Sequence, residues 1–382
     1  ALLSLRRCDS KEDENADDLA SAVFRPGAYE DQLEVLQRAY ANEGLKASSL
    51  SSSVRIRCLR PNTWSAHAKL QALKKELKSK THFVQIVSKL LGGENDLALE
   101  ALYHGNVTNE DAVNAAKLIL KLIGATTTAN KSQSGLSRKK YPSLAVTKIP
   151  VKPTDDVAVP TKDPSEPNSS VEVYFQVDKD NAKDRVMTDL IAHIMDEPFY
   201  DQVRTKDQFG YSVSCDARWT DGIMGIYFKI VSSTKSAEEM VERIERFVKE
   251  QYEGLENMAQ TEVLEHIIGL AKNKLEMFNG MSDETDAYWD EIRDDRYDWQ
   301  VNRNEALLLR AVTKEQILQS YKAWLVNTKT RRRLVVKVVG DDADASVQHQ
   351  QHAHAERSKL IDDRVATFHS KVKDRWGKVL FK

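Results

Sequence analysis

Thr220-Asp221-Gly222 separates two strand-like runs, Phe209 to Trp219 and Ile223 to Ser232. Asp-Gly between such runs commits this part of the chain to an antiparallel hairpin, because those residues readily take the backbone angles of a tight turn. Upstream, Ser170 to Val177 alternates apolar and polar positions through eight residues, and downstream Leu334 to Val339 is a further apolar run. The helices between them carry explicit start signals. Ser236-Ala237-Glu238-Glu239 is a capping box ahead of Met240, Ile244, Phe247 and Val248, and Thr313-Lys314-Glu315-Gln316 is another ahead of Ile317, Tyr321, Trp324 and Leu325. These patterns predict one sheet holding Glu172 to Val177, Phe209 to Trp219, Ile223 to Ser232 and Leu334 to Val339, with helices against one face.

The remaining segments read as follows. Val186, Leu190 and Ile194 form one helical face, and Asp196 with Pro198 predicts a short second helix ending near Arg204. A helix from about Thr261 to Phe278 precedes another carrying Tyr288, Trp289 and Ile292. Near the start, the acidic stretch Lys11 to Asp18 and the serine run Ser48 to Ser53 read as loops around a helix with Leu33, Leu36 and Tyr40. Leu70, Leu73 and Leu77 share one helical face; Thr81 opens a helix that ends at Gly92-Gly93; Leu97 to His104 is strand-like; Thr108 with Asp111 caps a helix carrying Val113, Ala116 and Leu120. Six of the nine prolines fall between Pro142 and Pro167, where Leu144 to Ile149 and Val157 to Val159 read as short strands in a loose meander. A helix then a strand recurs at Thr81 to His104 and at Thr313 to Val339. Two α+β domains of related plan follow, the first incomplete.

With 382 residues, 41% apolar and 30% charged, the chain is long enough for two cores. Its 56 basic and 58 acidic residues leave a formal charge of −2, so no global field favours nucleic acid or an anionic membrane, and neither is expected as a partner. Cys8, Cys58 and Cys215 have no paired spacing, which argues against a disulfide framework or a cysteine zinc site and fits a reducing, cytoplasmic setting. No apolar run approaches the ~20 residues of a membrane span, and Ala1 to Arg7 is too short for a signal sequence. The first residue is Ala1 and not Met, so the chain is expected to be a fragment or a trimmed product.

Gln202-Val203-Arg204-Thr205-Lys206-Asp207-Gln208-Phe209-Gly210-Tyr211-Ser212-Val213 has the form x-x-R-T-K-x-Q-x-G-Y-x-V. It resembles the segment by which the C-terminal half of an insulin-degrading-type M16 metallopeptidase, an inverzincin, reaches its catalytic site. Leu99 to Thr108 is similar to that family's E-A-L-x-H-G-N-x-T, and Ala287 to Ile292 to its x-Y-W-x-E-I. The family's zinc signature H-x-x-E-H is missing from the sequence. The resemblance therefore implies two M16-type sandwich domains, each an antiparallel-rich sheet packed with helices. Residues 1–50 are unassigned, 51–140 form part of a third M16 domain, 141–170 a Pro-rich connector, and 171–382 the fourth. It further implies a role as the C-terminal half of a zinc metalloendopeptidase. That half encloses peptide substrates over a zinc-bearing N-terminal half, with zinc bound by the partner and none by this chain. A catalytically inactive scaffold or peptide-binding module is the alternative.

Carried over onto this sequence, the resemblance implies that Tyr211 stabilises the transition state and that Arg204 and Tyr211 bind substrate, with no complete catalytic set and no metal ligands here. A phenol can donate to an oxygen that becomes negative, and a guanidinium offers a planar fork of donors. The residues taken alone allow another reading, in which Arg204 caps its helix's carbonyls and Tyr211 is an edge-strand aromatic. Gly210 fits a close backbone approach or a bulge. Glu262-Val263-Leu264-Glu265-His266 is the nearest approach to the zinc signature, yet Glu262 stands where the first histidine is needed, and a solvated helix face is expected. His349, His352 and His354 read as an incidental cluster in an exposed loop, and His67, His104 and His193 as core or cap residues. Cys215 is expected to be a buried thiol. Arg331-Arg332-Arg333 is expected to be a solvated strand edge.

Overall fold

A computed structural model describes residues 27–77, 79–91, 100–122, 145–340 and 350–376. In chain order its elements are α1 (Ala28–Asn42), α2 (Ala47–Leu59), α3 (Ala66–Lys75), α4 (Lys80–Leu91), α5 (Asn109–Leu122), β1 (Val157–Pro160), β2 (Ser169–Lys179), α6 (Ala182–Phe199), β3 (Ser212–Thr220), β4 (Ile223–Ser232), α7 (Ala237–Asn257), α8 (Gln260–Leu275), α9 (Met281–Arg293), α10 (Val301–Leu309), α11 (Lys314–Tyr321), β5 (Arg332–Val339) and α12 (Gln350–Lys371). They divide into two compact units. One is built from Ala1–Asn42, Ala66–Pro142 and Phe278–Arg293, the other from Glu43–Ser65, Ser143–Met277 and Asp294–Lys382.

The larger unit holds one five-stranded sheet in the order β1-β5-β2-β4-β3. β1 runs parallel to β5 and the other neighbours are antiparallel, with Val173 opposite both Phe228 and Val335. The four strands expected to share one sheet do so, and Val157 to Val159 joins them as β1, whereas residues 145–149 of the expected Leu144 to Ile149 strand make only an isolated bridge, Thr147 to Arg375. Asp221 and Gly222 take the left-handed conformation at φ 47 and 77 and close the β3–β4 hairpin. On one face, Val171, Val173, Phe175, Ile226, Phe228 and Ile230 meet α6, α7 and α11. Phe199 bridges the layers there, with its ring centroid 5.1 Å from Phe228 and 4.9 Å from Phe247. The two capping boxes form as expected, at Ser236 with Glu239 and at Thr313 with Gln316.

Helices cover the second face as well, which corrects the expectation of a one-sided sheet. Leu50, Val54 and Cys58 of α2 and Ile361, Val365 and Phe368 of α12 join Tyr174, Tyr227, Leu334, Val336 and Val338 in a second core. The serine run lies inside α2 and is not a loop. Leu50, Val54 and Cys58 recur every fourth residue beneath it, and Ser51 Oγ donates back to the Ser48 carbonyl at 3.0 Å and lies 3.0 Å from Ser170 Oγ. The division expected at residue 50 therefore falls within α2, which packs on β2 and β5. Burial on both faces also encloses charge. Glu172, 1% exposed, accepts from Arg55 Nε at 2.5 Å and from Ser52 Oγ at 3.1 Å.

Two other expectations change. Pro198 does not open a new helix: it lies inside α6, which passes directly into a π-helical turn at Tyr200–Lys206. Arg331 to Arg333 lead into an interior strand and are engaged, not solvated. Arg331 and Arg333 both bind Glu245, at 2.9 and 2.5 Å, and Arg332 donates to the Ile149 carbonyl at 2.6 Å.

The smaller unit is helical among the described residues. Residues 100–104 of the expected strand are irregular, and Leu97 to Leu99, like Gly92-Gly93 and Lys11 to Asp18, lie outside the described residues. Two recognised motifs meet here. His104 Nδ1 lies 2.7 Å from Thr285 Oγ1, and its ring stands edge-on to Tyr288, with centroids 5.3 Å apart. Thr108 and Asp111 cap α5 reciprocally.

Candidate functional site

The segment from Tyr200 to Tyr211 is held by backbone bonds at both ends. After the π turn, Asp207 N donates to Gln202 O and Phe209 N to Val203 O, both at 2.9 Å. Gln208 takes φ 51, the left-handed conformation that reverses the chain between these bonds. Arg243 of α7, 6% exposed, grips the turn from below through Nε to Asp207 Oδ2 at 2.6 Å. Lys235 Nζ lies 5.0 Å over the Phe209 ring.

Gly210 follows with no room for a side chain. A Cβ there would lie 2.2 Å from the Val231 carbonyl oxygen, so close backbone approach is the reason for glycine. Tyr211 N then donates to the same carbonyl at 3.1 Å, and β3 begins. Gly210→Ala is expected to lower the unfolding free energy by about 1–3 kcal/mol, because backbone must move to admit the methyl group. Chemical denaturation of the variant checks this; unchanged stability contradicts the close approach.

Arg204 and Tyr211 leave this scaffold differently. Arg204 is half-buried, and its Nε is buried without a hydrogen-bond partner. Among the described residues no bond runs from its guanidinium to a helix carbonyl, and none joins it to Tyr211. Tyr211 is 58% exposed. Partial burial first, and the nearby Glu166 carboxylate second, push its phenol pKa above the ordinary tyrosine value, so the hydroxyl stays protonated and able to donate.

The other candidates are placed as follows. Glu262 and Glu265 are exposed on α8, where Glu262 accepts from Ala259 N at 3.0 Å. His266 stands edge-on to His193, with centroids 5.7 Å apart, and burial followed by the His266 charge lowers the His193 pKa. Among the described residues no group of three or more His, Cys, Asp or Glu side chains is arranged to hold a metal ion. His349 and the His352 side chain lie outside the described residues, whereas His354, expected in an exposed loop, is half-buried on α12 with Nε2 3.7 Å from Asp163. Cys215 is buried, and burial raises its thiol pKa well above the usual value.

Arg243 braces the segment, with Lys235 over Phe209 and the Glu166 charge near Tyr211, and none of the three was among the candidates read from the sequence. Arg243 interrupts the apolar stripe of Met240, Ile244 and Phe247, and a charge within such a stripe was an available signal. Glu166 and Lys235 had none, because only the folded chain brings them to Tyr211 and Phe209.

Known proteins resemble this chain in both sequence and fold. A family profile described as "PQQ synthase PqqF-like, C-terminal lobe domain 4" matches residues 190–289. A nardilysin-like protein of Arabidopsis thaliana is 28% identical over 316 residues, covering 81% of this chain and 30% of the relative. Human insulin-degrading enzyme is 27% identical over 250 residues, covering 65% and 24%, and human nardilysin is 24% identical over 363 residues, covering 91% and 30%. The chain thus spans under a third of the length of these relatives. Among solved structures, pitrilysin superposes with a TM-score of 0.64 at 14% identity over 91% of this chain and 35% of its own. An inactive domain of peptidase M16 from Pseudomonas fluorescens gives 0.52 at 14% identity over 87% and 76%.

Proposed function

The chain belongs with the M16 peptidases of the insulin-degrading type as the counterpart of their C-terminal half, and from this premise we propose that it encloses peptide substrates for a zinc-bearing N-terminal half. Zinc in that partner supplies the activated water. This chain supplies binding and orientation. The observation that carries the reading is the Tyr200–Tyr211 segment, which presents an exposed phenol and an unpartnered guanidinium nitrogen from a braced backbone.

In this reading Arg204 holds a carbonyl or carboxylate of the bound peptide, and Tyr211 donates to the oxygen that becomes negative during hydrolysis. The partner is the N-terminal half of the same peptidase, and the setting is cytoplasmic. No described helix is long and apolar enough to cross a membrane. A second reading, an inactive peptide-binding scaffold, draws on the fold shared with the inactive M16 domain.

The test combines the purified chain with the half carrying H-x-x-E-H, using insulin B chain as substrate. Hydrolysis should require both components, and Arg204→Ala should raise KM roughly tenfold with kcat little changed, since the guanidinium holds ground and transition states alike. Full activity of the zinc-bearing half alone, or a wild-type KM for a folded Arg204→Ala assembly, contradicts the assignment.

A further inference from the structure

We propose that Arg243 is a positioning residue for substrate binding, acting through Arg204 by clamping the two ends of the turn that carries it. The inference deepens the reading above and rests on it: it names what fixes a substrate-facing group. Arg243 is buried on α7 within the apolar stripe of Met240, Ile244 and Phe247. An apolar residue of similar length would fill this place without the desolvation that a guanidinium undergoes, so arginine adds little stability here. What it adds is geometry.

Arg243 Nε donates to Asp207 Oδ2 at 2.6 Å and Nη2 to Gln202 Oε1 at 3.5 Å. Gln202 lies in the π-helical turn and Asp207 follows it, and their backbones are joined by the bond from Asp207 N to Gln202 O at 2.9 Å. Arg243 therefore spans the mouth of the loop that holds Arg204. Glu250, two turns further along α7, accepts from Nη1 at 3.2 Å and fixes the third side of the guanidinium. Among the described residues, no other side chain from outside the segment hydrogen-bonds or ion-pairs with residues 200–208.

Arg204 depends on this clamp because its own Nε has no hydrogen-bond partner, so the turn's backbone sets where the guanidinium stands. Gln208, at φ 51 just beyond Asp207, holds a conformation that is unfavourable for a side-chain-bearing residue, and releasing Asp207 lets the turn relax. Tyr211 is tied separately, through its N–H to the Val231 carbonyl at 3.1 Å. The two substrate-facing residues thus have different anchors. The clamp can also be removed without stranding a buried charge. Asp207 and Glu250 are 37 and 47% exposed, and each carboxylate hydrates once the guanidinium is gone.

The experiment compares wild type with Arg243→Met, and with Asp207→Ala, which breaks the same bond from the segment's side and leaves α7 intact. Amide hydrogen exchange in the full chain should quicken roughly tenfold at Asp207 and Phe209 in both variants, with the Tyr211 amide and those of β4 unchanged. In the assembly with the zinc-bearing half, each variant should raise KM for insulin B chain roughly threefold to tenfold with kcat near wild type. In an Arg204→Ala background the same substitutions should raise KM no further, because the residue through which they act is gone. A purely structural defect would instead add equally in both backgrounds. Wild-type exchange at Asp207 and Phe209, or an equal rise in KM in both backgrounds, overturns the positioning role and leaves the functional reading intact. A wild-type KM for Arg204→Ala alone is a failure of the functional reading itself, and the positioning role falls with it.

Discussion

On the proposed function, Tyr211→Phe is expected to lower kcat of the assembly with the zinc-bearing half about 10²- to 10³-fold and to leave KM near its wild-type value. The substitution removes one oxygen. Tyr211 is 58% exposed and its hydroxyl makes no hydrogen bond among the described residues, so the fold of this chain loses nothing with it. On that reading, a loss of kcat in the folded assembly reports a bond made to substrate. A donor that meets an oxygen only as it becomes negative acts on the transition state, and its removal falls on kcat. Had the phenol gripped the peptide throughout, KM would rise instead. Because burial and Glu166 keep the phenol protonated, its donor capacity persists through neutral pH. Equal kcat for a folded Tyr211→Phe assembly removes this residue from the chemistry.

Arg55→Met costs about 3 kcal/mol of stability, and adding Glu172→Gln regains more than half of it. Glu172 is buried between β2 and α2, bound to Arg55 at 2.5 Å and 3.5 Å from Lys229 Nζ. The Arg55 guanidinium also lies 5.5 Å from the Tyr174 ring centroid. Removing a single partner of a buried pair leaves an uncompensated charge, a loss of about 3–5 kcal/mol, and the remaining Lys229 holds the effect near the lower bound. Glutamine has nearly the same shape as glutamate without the charge, hence the recovery. Denaturant midpoints of wild type, single and double variants decide the matter. A double variant as unstable as the single one would show that packing and not charge ties α2 to the sheet.

Much of the larger unit was readable because its signals are local. Thr220-Asp221-Gly222 specifies its turn through backbone sterics, and the boxes at Ser236 and Thr313 satisfy amides within three residues. The strand pattern of Ser170 to Val177 was equally plain, although its polar positions were misleading. Ser170, Glu172 and Gln176 are buried against α2 and neighbouring segments, which supply their partners from far along the chain. A serine-rich stretch looked like a loop for the same reason, since hydroxyls bonded to their own helix turn and to a distant strand carry no periodic trace.

The Arg204 to Tyr211 motif was evident in the order of its residues, including the need for glycine at 210. What it presents to a substrate was not. Composition and spacing determine turns, caps and apolar faces, because those depend on neighbours a few residues away. The second helical layer, the buried pairing of Glu172 with Arg55, the grip of Arg243 on Asp207 and the place of β3 at the end of the sheet were decided only by the tertiary structure. Each depends on contacts between groups far apart in sequence or on which strand ends the sheet, and the free energy of such contacts appears only when the chain has closed around them.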